Sequence, residues 1–228
     1  VGEFFSGIGA MHLALEEALN GTPHPDSFKV TTAFDINQIA NQTYEHNFKE
    51  LKVTTKLVEH LPVEYFERLD LKGWLMSPPC QPFTRGGNLL DDKDDRSVGL
   101  LHMIKVLEEM KNPPKYLFLE NVLNFESSRC RERLIGALRK RNFHIEEYLV
   151  SPLCLGIPND RLRYYLIACR QESQAHFTGK IIRTLPVDGP CEIKKIQDYL
   201  DRDPDPSFDV PLRYITDYKQ YKHDVVHP

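Results

Sequence analysis

The sequence predicts an α/β fold, a mostly parallel sheet with helices on both faces. Three observations carry that expectation. Short apolar runs bounded by turn residues alternate with stretches whose apolar residues recur at helical spacing. Residues 116–119 form an unbroken apolar run, as expected of a central parallel strand covered on both faces. The residues able to do chemistry sit where the runs end, and in an open α/β sheet those carboxyl ends line one crevice.

Taken in order, residues 1–5 read as a short strand running into a turn with Gly7 and Gly9. Glycine there permits a tight turn and close approach of the backbone to a ligand. Met11, Ala14, Leu15, Ala18 and Leu19 then recur at helical spacing. Strand, Gly-x-Gly turn and helix make a nucleotide-cofactor cradle or a purely structural turn. Residues 20–27 are turn-rich, and residues 30–34 form the second strand, ending at Asp35. That acid is placed to accept hydrogen bonds from a ribose, although Asp35 or Asn37 would equally serve as a helix N-cap. Residues 38–47 read as a helix and residues 51–56 as a weak third strand. Pro62 opens another helix, since proline suits the first turn.

Residues 74–85, W-L-M-S-P-P-C-Q-P-F-T-R, organise the rest. A buried strand ends there and two prolines stop it, because proline donates no N–H to a ladder. Cys80 follows on the stiffened turn, where an α/β enzyme would hold a nucleophile. The bland alternative, a small buried thiol, fits poorly between Pro-Pro and Gln-Pro-Phe-Thr-Arg. Residues 86–97 form a glycine-led polar loop, either a mobile lid or a solvated surface. Ser97 is placed to cap a helix whose buried face is Leu100, Leu101, Ile104, Leu107 and Met110. The strand at 116–119 is followed by Glu120, a carboxylate that is costly there unless hydrogen-bonded or functional. Cys130, Leu134, Ala137 and Leu138 mark the next helix, and residues 143–150 the next strand. Arg161 and Arg163 alternate at strand period, pointing to one face and suiting an anionic or carbonyl-rich ligand. Residues 164–168 are expected to close the sheet as an antiparallel strand at one edge.

Composition narrows the function classes. The chain has 228 residues, 41% hydrophobic and 27% charged, as in an ordinary globular protein with room for one α/β domain and part of a second. No apolar run approaches the roughly 20 residues that cross a bilayer, so no membrane association is expected. Five cysteines without paired spacing argue for a reducing compartment, hence a cytoplasmic or nuclear location, and no Cys/His spacing suits a metal. Net charge is −4, so a nucleic-acid partner would need a local basic surface. Residues 1–170 read as a catalytic domain. Residues 171–228, richer in Pro and Asp, read as a linker and the incomplete start of a second lobe, the chain as a whole being a fragment.

A cofactor cradle, a thiol, a carboxyl group and two arginines in one crevice suit methylation at carbon 5 of a pyrimidine. Thiolate addition at carbon 6 makes carbon 5 nucleophilic, and an acid relieves charge at ring nitrogen 3. The segments F-S-G-I-G-A-M-H, S-P-P-C-Q-P-F-T-R, L-E-N-V and S-P-x-x-x-G-I-P-N-x-R-L-R-Y-Y resemble the DNA cytosine-5 methyltransferase superfamily. They are most similar to its branch that methylates aspartate tRNA. The resemblance implies a Rossmann-like S-adenosylmethionine-dependent methyltransferase fold, with tRNA as substrate and DNA as the alternative. It implies Cys80 as nucleophile, Glu120 at the base, and Arg161 and Arg163 on the base or its phosphate. It assigns Phe5, Ser6, Gly7, Ile8, Gly9, Ala10, Asp35, Ile36, Val58 and Glu59 to S-adenosylmethionine. Ala10, Leu123-Asn124 and Asp160 depart from the family pattern. Two other readings remain: a methyltransferase-like binding fragment without catalysis, and a nicotinamide dehydrogenase, which leaves the Cys80 turn unexplained.

Overall fold

The computed structural model describes residues 1–83, 91–170, 177–183 and 192–199. An eight-stranded sheet forms the body of the molecule. Its strands are β1 (Gly2–Phe4), β2 (Thr32–Phe34), β3 (Val53–Thr54), β4 (Gly73–Met76), β5 (Tyr116–Val122), β6 (Phe143–Val150), β7 (Arg163–Arg170) and β8 (Phe177–Ile182), in the order β3-β2-β1-β4-β5-β7-β6-β8. β3 through β5 are parallel, β7 is antiparallel to both neighbours, and β8 runs parallel to β6. The strands read from the sequence at residues 1–5, 30–34, 74–76 and 116–119, whose ends carry the candidate groups, lie side by side as β2-β1-β4-β5. The expected edge position of residues 164–168 is corrected: β7 lies inside the sheet, because β6 pairs on its far side and β8 extends the sheet beyond it. β8 lies in the stretch that composition marked as linker.

The helices are α1 (Ala10–Asn20), α2 (Gln38–Asn47), α3 (Val63–Leu69), α4 (Val98–Glu109) and α5 (Arg129–Lys140). Successive strand residues point to opposite faces, and β2 shows where each helix packs. Phe34 joins the large core with Phe66 of α3, Leu100 and Leu107 of α4 and Leu134 of α5. Its neighbour Ala33 joins a smaller cluster with Tyr44 of α2. Helices therefore cover both faces. Aromatic stacking consolidates the larger core, Phe4 lying 5.0 Å from Phe34 and 5.4 Å from Trp74 between ring centroids. On the opposite half of the sheet, Arg131 of α5 reaches buried Glu147 of β6 with two 2.6 Å contacts, so that carboxylate is paired rather than stranded.

Several local expectations change. The two faces of β5 differ from the expected double cover: Leu117 and Leu119 are buried, but on the other face Tyr116 is exposed and Phe118 half-buried. β5 also runs on through Glu120 and Asn121 instead of stopping before them. In α1 the apolar stripe is not the buried one: Met11, Leu15 and Leu19 are half-covered, Ala14 and Ala18 exposed, and His12 is the buried residue. Ser97 is the N-cap residue of α4 but makes no side-chain cap; its hydroxyl donates instead to the Asp91 carbonyl at 2.6 Å. Pro62 precedes α3 as its N-cap residue. Of the proposed lid, residues 86–90 lie outside the described residues. Residues 91–97 form two 3-10 turns tied down by Asp91, which accepts the Arg129 and Cys130 amides, and by Asp92, which pairs with Arg129 and Arg133.

Candidate active site

The carboxyl ends of β1, β2, β4 and β5 open into a cleft of about 700 Å³, a size that suits a small ligand. Cys80, Glu120, Arg161 and Arg163 line this cleft. Phe5, Asp35, Ile36, Val58 and Glu59 line it as well.

The Cys80 turn is held at both sides. Ser77 donates its amide to the Phe4 carbonyl (3.1 Å), after which Pro78 and Pro79 offer no donor and the chain leaves the sheet. The Pro78 carbonyl accepts from the buried Asn121 side chain (3.2 Å). On the far side, the Phe83 amide donates to the Cys80 carbonyl (2.9 Å), and the Phe83 carbonyl accepts from Asn124 (2.9 Å). Asn124, one of the departures from the family pattern, thus anchors the turn. Cys80 itself is half-buried, open to the cleft.

Glu120 stands beside Asn121 on β5 and is also half-buried. Burial raises its carboxyl above the usual carboxylate range, opposed first by Arg163 and then by Arg161. Arg163 Nε lies 3.4 Å from Glu120 Oε1. A carboxyl pushed up by burial yet faced by two cations can give a proton and then hold the charge that remains. β7 begins at Arg163, so Arg161 lies in the segment leading to it instead of on the strand. It reaches the same cleft, its amide donating to Ser151 Oγ at 3.1 Å.

Around Asp35 the main chain does the holding. Asp35 accepts from the amides of Gly7 and Asn37, both at 2.8 Å. Asn37 takes the capping role instead, accepting from the amides of Ile39 and Ala40 at the start of α2. Asp35 thus keeps unused acceptor positions toward the cleft. Val58 and Glu59 come from a 3-10 turn, Val58–His60, with Val58 buried. Ile36 is 62% exposed and presents an apolar surface beside Asp35.

The glycine turn divides. Gly7 has φ 54° and nothing near the position a Cβ would take, so open space adjoins it. Gly9 has φ 91°, and a Cβ there would meet Phe48 at 2.6 Å and Tyr44 at 3.0 Å; it is glycine so that α1 can pack against α2. Ile8, Gly9 and Ala10 line a separate depression beside His12 and Phe48, not the cleft. Ser6 is buried, and its hydroxyl has no partner among the described residues. Neither Ser6 nor Gly7 is among the residues lining the cleft, but spare acceptor positions on Asp35 and apolar Phe5 and Val58, which do line it, fit an adenosine-bearing cofactor.

Sequence reasoning missed Lys56, Leu57, Arg96 and Gly99, which also line the cleft. Arg96 is fixed by two bonds to Asp94 (2.8 and 2.7 Å), which hold that carboxyl down to about 2. A Cβ on Gly99 would come within 3.0 Å of the Phe5 ring. Glycine in the first turn of a helix is a weak signal of such close packing.

Residues 1–227 match the family model described as C-5 cytosine-specific DNA methylase. The tRNA (cytosine(38)-C(5))-methyltransferase of Homo sapiens is 41% identical over 186 residues, 81% of this chain and 46% of that protein. A DNA (cytosine-5)-methyltransferase of Dictyostelium discoideum is 43% identical over 171 residues, 74% of this chain and 43% of that protein. A crystal structure of Spodoptera frugiperda DNMT2 superposes with TM-score 0.75 at 38% identity, covering 92% of this chain and 61% of that one. The chain spans about half the length of these curated relatives.

Proposed function

The chain belongs to the C-5 cytosine-specific DNA methylase family, and we propose that it is the catalytic part of an enzyme that methylates carbon 5 of cytosine in tRNA. The observation that supports the proposal is that Cys80, Glu120, Arg161 and Arg163 line one cleft together with Phe5, Asp35, Ile36, Val58 and Glu59, which we assign to S-adenosylmethionine. That cofactor supplies an electrophilic methyl group when bound.

The chain's own residues do the rest. Cys80 sulfur, as thiolate, adds to carbon 6 of the ring, and electron density moves onto the ring toward nitrogen 3. Glu120, held protonated more readily than an ordinary carboxyl, hydrogen-bonds or protonates nitrogen 3 and so relieves that charge. Arg163 and Arg161 stabilise the carboxylate left behind and hold the base or its phosphate. Carbon 5 is then nucleophilic enough to take the methyl group. Loss of the carbon 5 proton to solvent, return of the nitrogen 3 proton to the Glu120 carboxylate and expulsion of the Cys80 thiolate restore the aromatic ring.

RNA is favoured over DNA because the relatives named tRNA (cytosine(38)-C(5))-methyltransferase resemble this chain over more of its length than the DNA-named relative does. Physical cost points the same way: an RNA loop presents its base unstacked, whereas duplex DNA must be opened at a few kcal/mol. The anticodon loop of aspartate tRNA is the expected substrate, on the strength of the Pro-Pro-Cys-Gln-Pro-Phe-Thr-Arg segment. Reduced cysteines suit the cytoplasm or nucleus; Cys80, Cys130, Cys154 and Cys169 are all free. No helix among the described residues is long and apolar enough to cross a membrane.

The test uses the full-length protein and tRNA or duplex DNA carrying 5-fluorocytosine, whose fluorine blocks the final proton loss. Wild type should trap tRNA in a complex stable to denaturant, and Cys80→Ala should trap none. Trapping by the alanine variant would move the nucleophile elsewhere, and trapping of DNA alone would favour the DNA reading.

A further inference from the structure

The end of β5 carries more than the Glu120 carboxyl. It runs into a 3-10 turn, Leu123–Ser127, and two asparagines of this stretch reach across to the Cys80 turn. Asn121 is 1% exposed and donates to the Pro78 carbonyl at 3.2 Å, on the side of the turn before Cys80. Asn124 donates to the Phe83 carbonyl at 2.9 Å, on the side after it. One neighbouring segment thus brackets the turn. Phe83 is the pin on the later side. Its amide donates to the Cys80 carbonyl at 2.9 Å, and its buried ring meets the Phe125 ring edge-on, with centroids 5.0 Å apart. Phe125 is itself fully buried and lies 5.1 Å from the Tyr164 ring of β7.

Asn124 does not stand there for its backbone. Asparagine is favoured where a chain turns left-handed, and Asn142, with φ 61°, shows that use, but Asn124 is not among the residues of positive φ. Within a helical turn asparagine is a poor choice, because its side chain competes for main-chain groups. Its carbonyl serves the turn, accepting from Ser127 Oγ at 3.1 Å, while its side-chain amide leaves the turn for Phe83. What the side chain contributes is that bond. Asn124 also departs from the family pattern, so the bond is a feature of this chain.

We propose that Asn124 is a positioning residue for Cys80: by holding the Phe83 carbonyl it fixes the nucleophile's turn to the segment that carries Glu120, so that sulfur and carboxyl reach one base together. The inference rests on the reading of Cys80 as nucleophile. That chemistry needs the two groups on the same ring, at carbon 6 and at nitrogen 3, and a misplacement of about 1 Å costs on the order of a hundredfold in rate. Asn121 holds only the side of the turn before Cys80. Without the Asn124 bond, the side after it keeps the ring contact with Phe125 and the amide bond within the turn itself. A ring contact fixes where Phe83 sits. A hydrogen bond, being directional, fixes which way its carbonyl points.

The experiment uses full-length protein carrying Asn124→Ala or Asn124→Asp, the second keeping the size while its ionised carboxylate cannot donate. Three rates are compared with wild type: covalent trapping of 5-fluorocytosine tRNA at saturating tRNA and cofactor, alkylation of Cys80 by iodoacetamide without substrate, and hydrogen exchange of the Phe83 amide. Both variants should trap about tenfold more slowly. Affinities for tRNA and S-adenosylhomocysteine should change by less than about twofold, because Asn124 is not among the residues lining the cleft. Alkylation should also change by less than about twofold, since a small reagent needs no alignment with Glu120; Cys80→Ala supplies the background from the other thiols. The Phe83 amide should exchange about tenfold faster. Trapping at the wild-type rate overturns the proposal. So does a loss of trapping matched by equal losses in both affinities and in alkylation, the mark of a general loss of structure. If wild type traps nothing, the nucleophile reading fails separately. Phe83 exchange then decides the hold on the turn: faster exchange in both variants upholds it, and unchanged exchange overturns it.

Discussion

Around Cys80 and Glu120, the side chains come from the turn after β4, from β5, from the start of β7 and from the segment before it. Around Asp35, the main chain of the glycine turn and of the start of α2 does the holding. The difference tracks the task. Proton transfer and nucleophilic attack require particular functional groups, and a rigid frame such as the Asn121–Pro78 bond keeps them in place. Holding a ligand's polar edge requires amides and carboxylates in a set geometry, which backbone supplies with little conformational freedom to lose. The comparison makes a testable division: changes in the first group should act on rate, changes in the second on affinity or stability.

The largest effect belongs to Glu120. Glu120→Gln should lower the single-turnover rate on full-length protein by about 10²–10⁴-fold, with affinity for S-adenosylhomocysteine nearly unchanged. The wild-type rate should also fall as pH rises through the raised pKa of Glu120, because the protonated form is the one that donates. Arg163→Gln removes the cation that opposes this shift most, so the alkaline fall should move to higher pH. A large loss of cofactor affinity in Glu120→Gln would break the division between the two groups.

The glycine turn gives the next effect and sharpens the comparison within one group. Gly9→Ala must strain a left-handed backbone and force Phe48 and Tyr44 to move, so urea unfolding should show a loss of about 2–4 kcal/mol. Gly7→Ala meets no neighbouring atom and carries only the backbone penalty, about 1–2 kcal/mol. Strain there would disturb the amide that Gly7 gives Asp35, so cofactor affinity should suffer more than stability does. Equal stability losses would mean that α1 and α2 can separate at no cost, contrary to their packing.

These two glycines also show what the sequence reveals and what it conceals. Gly-x-Gly after a strand marks a turn, but whether a glycine serves a ligand or a neighbouring helix depends on atoms some 30 to 40 residues away, here Tyr44 and Phe48. The same limit explains Ile8, Gly9 and Ala10, assigned to the cofactor by resemblance and found lining another depression. Cys80, Glu120 and Asp35 were legible because each ends or interrupts an apolar run, and alternating strands and helices bring such ends together. Arg96 was not legible: its place in the cleft depends on Asp94, a bond within a loop that read equally as a lid or a solvated surface. β7's interior position was hidden too, since strand order is set by pairings between distant segments and not by the local pattern that defines each strand.

The finest division lies between Asp35 and Asn37, two residues apart and equally able to cap a helix. In the structure Asn37 caps α2 while Asp35 bridges the Gly7 and Asn37 amides and faces the cleft. Asp35→Ala should weaken S-adenosylhomocysteine binding by about 1–3 kcal/mol, the scale for removing a charged acceptor. Asn37→Ala should instead lower stability by about 1 kcal/mol, the usual loss of an N-cap, with affinity changed by less than about threefold. Asn37→Asp should restore stability because it can accept the same Ile39 and Ala40 amides. A double-mutant cycle on affinity separates the roles. Asn37 also lines the cleft, but its side-chain oxygen is taken by the Ile39 and Ala40 amides and alanine keeps the amide given to Asp35, so the two changes should add with little coupling. Strong coupling, or equal losses of affinity from both single variants, would mean that Asp35 works by ordering the start of α2, and that the ribose is held elsewhere in the cleft.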